Sequence, residues 1–259
     1  MSAATAESVS RPVRGSGLRG LLPLVALLGL WELLGSPEAP LLPAPSAWGL
    51  AVWELVERGR LAPELLATLR TFATGVGLAT VLGAALGLSL GKSPATDRAL
   101  GPALEFARAL PPAAMVPVAT LLLGFEETAK VVVVVIAALW PVLLNTRTAV
   151  RKLDRTLIDT AHTLQLGRLD RLGKVVVPAL WPSIVLGVRV AAPIALVITL
   201  LVEILVELDG LGALITESQR TFRSARAYGL IGVAGVISLV VHYLVGALER
   251  LVLGYRRSA

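Results

Sequence analysis

The sequence predicts an all-α fold, a polytopic membrane bundle of about six spanning helices with a short amphipathic helix in one connecting loop. Three observations predict it. Hydrophobic residues make up 55% of the 259 positions, and the mean hydropathy is +0.77. Charged residues are 16%, against about 25% in soluble domains. Long apolar runs alternate with short loops that hold most of the lysine and arginine. One water-soluble core of this size cannot hide that much apolar surface. Lipid accepts apolar side chains on every face of a helix.

The elements follow in order. Residues 1–19 are polar, carry Arg11, Arg14 and Arg19, and have no apolar period, so they read as a disordered tail. Leu21 to Leu34 is a short first span. The alternative is the apolar core of a cleavable signal peptide, against which Trp31 and Glu32 interrupt the cleavage region. Pro37, Pro40, Pro43 and Pro45 then break helix. Ser46 is placed to cap a short helix through about Arg58, with Trp48 and Trp53 at the membrane interface. The second span covers 63–91, and its glycines, with Gly83 and Gly87 as a small-xxx-small pair, permit close helix approach.

The third span, about 99–123, must kink or break at Pro111–Pro112. Glu105 and Arg108 sit three apart within it and can pair on one face. The fourth, Thr128 to Asn145, contains the run Val131–Ile136, which reads as lipid-facing helix. The fifth covers about 180–206 and the sixth about 227–253, where His242 reads as a packed residue. Segments 1–19, 92–98, 147–174 and 254–259 carry most of the basic residues. The opposite segments hold Arg58, Arg60, Lys130, Arg220, Arg223 and Arg226. The bias places the N- and C-termini in the cytoplasm and the chain in the plasma membrane.

Composition also excludes classes. With no cysteine there is no disulfide, thiolate metal site or cysteine nucleophile. His162 and His242 make no metal-ligand pattern. The net charge of +6 is explained by basic loops beside apolar runs rather than by a nucleic-acid partner. No GxxxxGK[ST] phosphate loop is present, so the chain does not bind ATP in that way.

The interval 147–174 is the informative one. Leu153, Leu157, Ala161 and Leu164 recur at helical spacing, with Asp154, Arg155, Asp159 and His162 on other faces, and Asp154 is placed to cap the helix. Periodicity leaves two readings: a helix lying on the membrane, or one docking into a groove on a soluble partner. The stretch Asp159-Thr-Ala-His-Thr-Leu-Gln165, continuing to Val177-Pro178, resembles the EAA loop of binding-protein-dependent ABC importer permeases. Asp159 stands for the motif Glu, Ala161 for its second Ala, and Pro178 for the Pro of its distal Leu-Pro. Thr160 replaces the first Ala and Gln165 the motif Gly, with Gly167 two residues on as a substitute for the turn. From about Trp31 onward, short segments resemble the nitrate/sulfonate/taurine branch. They include Pro111-Pro112 through Pro117, Gly124-Phe-Glu126, Pro141-Val-Leu-Leu-Asn145 and Pro182-Ser183.

The resemblance implies a permease domain over 20–259 without enzymatic activity of its own. Asp159, Thr160, Ala161, His162, Gln165 and Gly167 would meet a separate cytoplasmic ATP-binding subunit. An extracytoplasmic substrate-binding protein would deliver the solute near Arg220 and Arg223. Two permease copies would form the pore, within membrane lipid. No cofactor, metal or nucleic acid is implied. For Asp159 the alternative is a solvated acid near a helix start. Charges inside spans mark candidates for the path, namely Arg70, Arg108, Arg189 and Glu203. Glu203 reads equally as a snorkelling or packing residue. The solute class the resemblance implies is small and anionic: sulfonate, nitrate, bicarbonate or similar. Pyrimidine-like precursors are also handled by such permeases. An ATP-independent transporter or channel is the alternative class, and would often show inverted repeats, which the sequence lacks.

Overall fold

The structure, a computed structural model, describes residues 17–36, 39 and 41–254. Most of the expected tail, and Arg256 and Arg257, lie outside the described residues. The helices are α1 (Gly17–Leu34), α2 (Pro45–Glu57), α3 (Leu61–Lys92), α4 (Pro94–Ala109), α5 (Met115–Leu123), α6 (Glu127–Arg151), α7 (Arg155–Thr163), α8 (Arg168–Arg171), α9 (Val177–Val206), α10 (Leu211–Arg220) and α11 (Ser224–Gly254). Gly17 to Arg19 are therefore helical rather than part of a tail.

Among the described residues four helices are long and apolar enough to cross a bilayer: Leu61–Lys92, Glu127–Arg151, the continuous Arg168–Val206 and Ser224–Leu251. A fifth crossing is made if α4 and α5, bent by 81°, act together. The bend has its cause in sequence. Leu110, forced extended by the proline after it, stops α4, and Pro111–Pro112 lead into a single 3₁₀ turn. The expected first span falls on α1, a helix of 18 residues, of which the apolar part among the residues searched is Val25–Leu34, shorter than a bilayer crossing. Ser46 does not cap α2. Ala44 holds that position and Pro45 starts the helix, while the Ser46 N–H donates to Glu32 Oε2 at 2.9 Å.

The core sits on α6, which packs against α3 on one side and α9 on the other. The expectation of a lipid-facing valine run fails here: Val133 and Val134 are fully buried. Small residues make the position possible. A Cβ at Gly83 would lie 2.9 Å from Leu139 O, and one at Gly87 would lie 2.6 Å from Leu143 O. On the opposite side a Cβ at Gly187 would lie 2.8 Å from Val142 Cα. With Gly75, Ala79 and Gly91, these α3 positions recur every four residues and form one close-approach stripe.

Pro178 has no N–H to return to Lys174. The turn before it, Leu172–Val176, is a π-turn that joins α8 to the α9 span. Trp48 stacks on Tyr228 and meets Trp31 edge-on, tying α1, α2 and α11 together. His242 is exposed beside Tyr243 rather than packed.

Candidate functional site

At one end of the bundle, α7 hangs between α6 and α8. The Asp154 side chain caps it, accepting from the Thr156 N–H at 2.9 Å. That bond holds the Asp154 carboxyl below the usual carboxylate range. The helix ends in a Schellman pair: Leu166 N–H donates to Ala161 O at 3.1 Å and Gln165 N–H to His162 O at 2.9 Å. The left-handed residue this turn requires is Gln165, φ 52°, not Gly167, whose φ is −59° and which instead precedes α8. The turn thus falls where the motif has its glycine, and a glutamine supports it.

The faces of α7 differ from the simple periodic reading. Ala161 is buried and Ile158 packs on the core, while Leu157 and Leu164 are exposed, the latter at 66%. Asp159 is exposed and its carboxylate has no partner among the described residues. Thr160 Oγ1 donates to Thr156 O at 2.7 Å, so it is spent on its own helix. His162 contacts Arg171 across the turn. Asp159, His162, Arg168 and Arg171 border a cavity of about 820 Å³ that extends to Lys92 and Arg151.

A carboxylate not foreseen from sequence joins this end to the broken span. Asp97, 6% exposed, receives Arg147 Nη2 at 2.7 Å and also pairs with Arg151. It fastens the start of α4 to the end of α6, two residues before the connection to α7. A buried carboxylate with two guanidiniums is costly to break, since removing one partner strands the others.

The opposite end is clamped by polar groups around α10. Glu203 is fully buried, and its Oε2 accepts from Thr68 Oγ1 at 2.9 Å and Gly212 N at 3.0 Å. Leu211 N donates to Thr68 Oγ1 at 2.9 Å, and Gly210 N to Glu64 Oε2 at 2.6 Å. Three N–H groups of the α10 start thus end on α3 and α9 side chains, which also complement its dipole. Gly210, φ 98°, has no room for a side chain beside the Glu203 carboxyl. Buried Lys130 pairs with Asp209, and Arg60 holds Glu217 through two bonds of 2.9 Å. That pairing keeps the Glu217 carboxyl below its ordinary range.

The charged residues expected on a path are dispersed. Glu203 is buried in this clamp and does not snorkel. Arg189 pairs with Glu249 of α11. Arg70 and Arg108 are exposed, and among the described residues Glu105 and Arg108 form no ion pair. Asp97, Lys130, Glu64 and Thr68 were missed because each finds its partner more than 45 positions away. The signal available for Asp97 and Lys130 was a lone charge beside an apolar run.

Residues 79–254 match the family described as binding-protein-dependent transport system inner membrane component. The sequence designated aliphatic sulfonates transport permease protein SsuC in Bacillus subtilis (strain 168) is 29% identical over 244 residues, 93% of this chain and 88% of that one. The nitrate import permease protein NrtB of Leptolyngbya laminosa is 29% identical, covering 85% and 82%. The bicarbonate transport system permease protein CmpB of Synechocystis sp. is 28% identical, covering 93% and 91%. An inward-facing structure of the MetNI methionine ABC transporter shares the fold. Its TM-score is 0.63 at 14% identity, over 74% of this chain and 95% of that chain.

Proposed function

The chain belongs to the family of binding-protein-dependent transport system inner membrane components, and from that premise we propose that it is the permease subunit of an ATP-driven importer of a small anionic solute. In this reading α7 is the coupling helix. It docks into a cytoplasmic ATP-binding subunit, a second copy of the chain completes the pore, and an extracytoplasmic binding protein delivers the solute. The termini are cytoplasmic and the chain spans the plasma membrane. The relatives' designations, which name sulfonates, nitrate and bicarbonate, support the solute class.

The observation that carries the reading is the outer face of α7. Leu157 and Leu164 stand exposed along one edge of a helix that packs under the bundle through Ile158 and Ala161, and Asp159, without a partner among the described residues, is exposed at the other edge. An apolar pair with a free carboxylate is what a groove on a partner captures, with Asp159 accepting a charge-assisted bond. Among Thr160, Ala161, His162, Gln165 and Gly167, the buried Ala161 and the Gln165 turn hold the helix in place. Thr160, His162 and Gly167 lie on its accessible side. Movement of α7 reaches α6 directly and α4 through Asp97. A pull at one end is thereby converted into a shift of the bent α4–α5 pair. Irregular backbone at the bend between α4 and α5 is tolerated at membrane depth where protein covers it or where it lines a water-filled route, and a second permease copy provides both. Arg70 and Arg108, exposed and without an ion-pair partner among the described residues, are the charges offered to an anionic solute along it.

The test is copurification from membranes with the ATPase subunit. Leu157→Glu places a charge in the docking groove and forfeits about 1.5–3 kcal/mol of side-chain burial. Together with the desolvation of the new carboxylate, this weakens the complex by roughly a hundredfold or more. Copurification of Leu157→Glu and Leu164→Glu at the unmodified level would refute the coupling role.

A further inference from the structure

We infer that the chain holds an oxyanion-binding site between α6 and α9, at the end of the bundle that carries α7, formed by Asn145, Lys152 and Ser183. The inference deepens the permease reading and rests on it. It adds a place where the solute is held before release and narrows the solute to an oxyanion.

Two segments left without a role, Pro141 to Asn145 and Pro182-Ser183, meet here. Leu144, Asn145 and Ser183 of these segments line an open cavity of about 290 Å³ with Thr148, Ala149 and Lys152. Asn145, Thr148, Ala149 and Lys152 share one side of α6 at spacings of three and four. Asn145 Nδ2 donates to Pro141 O at 2.8 Å, which fixes the amide and leaves its second N–H free. Thr148 Oγ1 donates to Leu144 O at 2.8 Å, so it can only accept from a ligand. The Lys152 ammonium and the Ser183 hydroxyl have no hydrogen-bond or ion-pair partner among the described residues. The cavity thus presents an ammonium, a hydroxyl and an amide N–H.

No aspartate or glutamate lines it. Two other cavities differ. The one under α7 contains Asp159, and one of about 390 Å³ at the opposite end contains Glu64, Glu207 and Glu217. Lys152 is exposed at the rim, and with no carboxylate in the lining its attraction for an anion is unopposed there. Donors from three directions match a group with several acceptor oxygens, such as a sulfonate, nitrate or bicarbonate. A cation is repelled, and a neutral heterocycle leaves the charge unanswered. Lys152 lies two residues before the Asp154 cap, so occupancy of the site and the position of α7 share a boundary.

The natural chain has no cysteine, so a single introduced thiol reports on the cavity. In inverted membrane vesicles carrying the full transporter, Ser183→Cys is treated with sulfonatoethyl methanethiosulfonate or its trimethylammonioethyl counterpart. Modification is read on the permease peptide by mass spectrometry. Relative to free mercaptoethanol, the sulfonate reagent is expected to be favoured about tenfold. Adding Lys152→Gln is expected to bring that preference to within about twofold. Millimolar methanesulfonate slows the reaction, and neutral dimethyl sulfone does not. Thr148→Cys provides a second position on the same wall should Ser183→Cys fail to insert. Reaction without charge preference, or without protection by methanesulfonate, overturns the oxyanion site while leaving the permease reading intact. So does a failure of both thiols to react. Reaction only in right-side-out vesicles overturns the orientation on which that reading stands.

Discussion

Adding one methyl group at two glycines of α3 tests whether the stripe facing α6 is what holds the bundle together. A Cβ at Gly87 would sit 2.6 Å from Leu143 O, 2.8 Å from Thr146 Cβ and 3.1 Å from Arg147 N. Two of these are backbone atoms, and they cannot rotate away. Withdrawal of α6 is blocked on its far side, where Gly187 leaves only enough room for a hydrogen against Val142. Gly87→Ala therefore forces an overpacked seam, at a cost of about 1–3 kcal/mol. Gly77 lies on the same helix with nothing within 4 Å of its Cβ position. There the same change improves helix propensity by roughly 0.5–1 kcal/mol. The two variants should differ by about 2–3 kcal/mol, a gap of very roughly 5–10 °C in Tm for a chain of this size. Thermal unfolding in detergent, followed by tryptophan fluorescence, measures it. Equal Tm values for Gly87→Ala and Gly77→Ala would refute the seam.

Three further outcomes follow from the same geometry. Glu203→Ala should lower stability by about 2–4 kcal/mol, because the buried Gly212 N–H and Thr68 hydroxyl lose their acceptor; thermal unfolding reads this, and a shift below the noise refutes the clamp. Gln165→Gly relieves a left-handed residue and should stabilise the end of α7 by up to about 1 kcal/mol, seen as slower amide exchange at Leu166; faster exchange counts against the Schellman turn. Glu217 is held below its ordinary range chiefly by its bond to Arg60. A depressed folded-state value means stability that is present above the unfolded carboxyl range, near about 4.3, and lost as pH falls through the folded value. In Arg60→Gln the decline of Tm below about pH 4.5 should be shallower than in the unmodified chain. An unchanged pH profile would show that the pair contributes nothing.

Much of this architecture is legible in the residues. The spans around α3, α6, α9 and α11, the break at Pro111–Pro112 and the Asp154 cap each depend on chemistry within a few positions, and they stand where local rules put them. What local rules do not settle is which face of a helix meets another helix. The run 131–136 carries no amphipathic signal, so the burial of Val133 and Val134 follows only once α3 is brought against α6, with Gly75 giving room to Val134. Likewise Lys130 and Asp97 look like loop charges until Asp209 and Arg147 are brought to them. Gln165 shows a third kind of miss. The two hydrogen bonds of the turn hold Gln165 at a φ that favours glycine. For the site, the short apolar spacing located α7 correctly. Its exposed pair, Leu157 and Leu164, separated from Ala161 only once the helix was seated on the bundle.

The proposal that α7 is the handle grasped by an ATPase is tested most directly by thiol crosslinking. The only permease thiol is introduced as Leu157→Cys, and a short bismaleimide is applied to membranes containing the complete transporter. A covalent adduct with the ATP-binding subunit, whose yield changes when ATP hydrolysis is blocked, is the predicted result. An adduct with the extracytoplasmic binding protein, or none with the ATP-binding subunit, would contradict it.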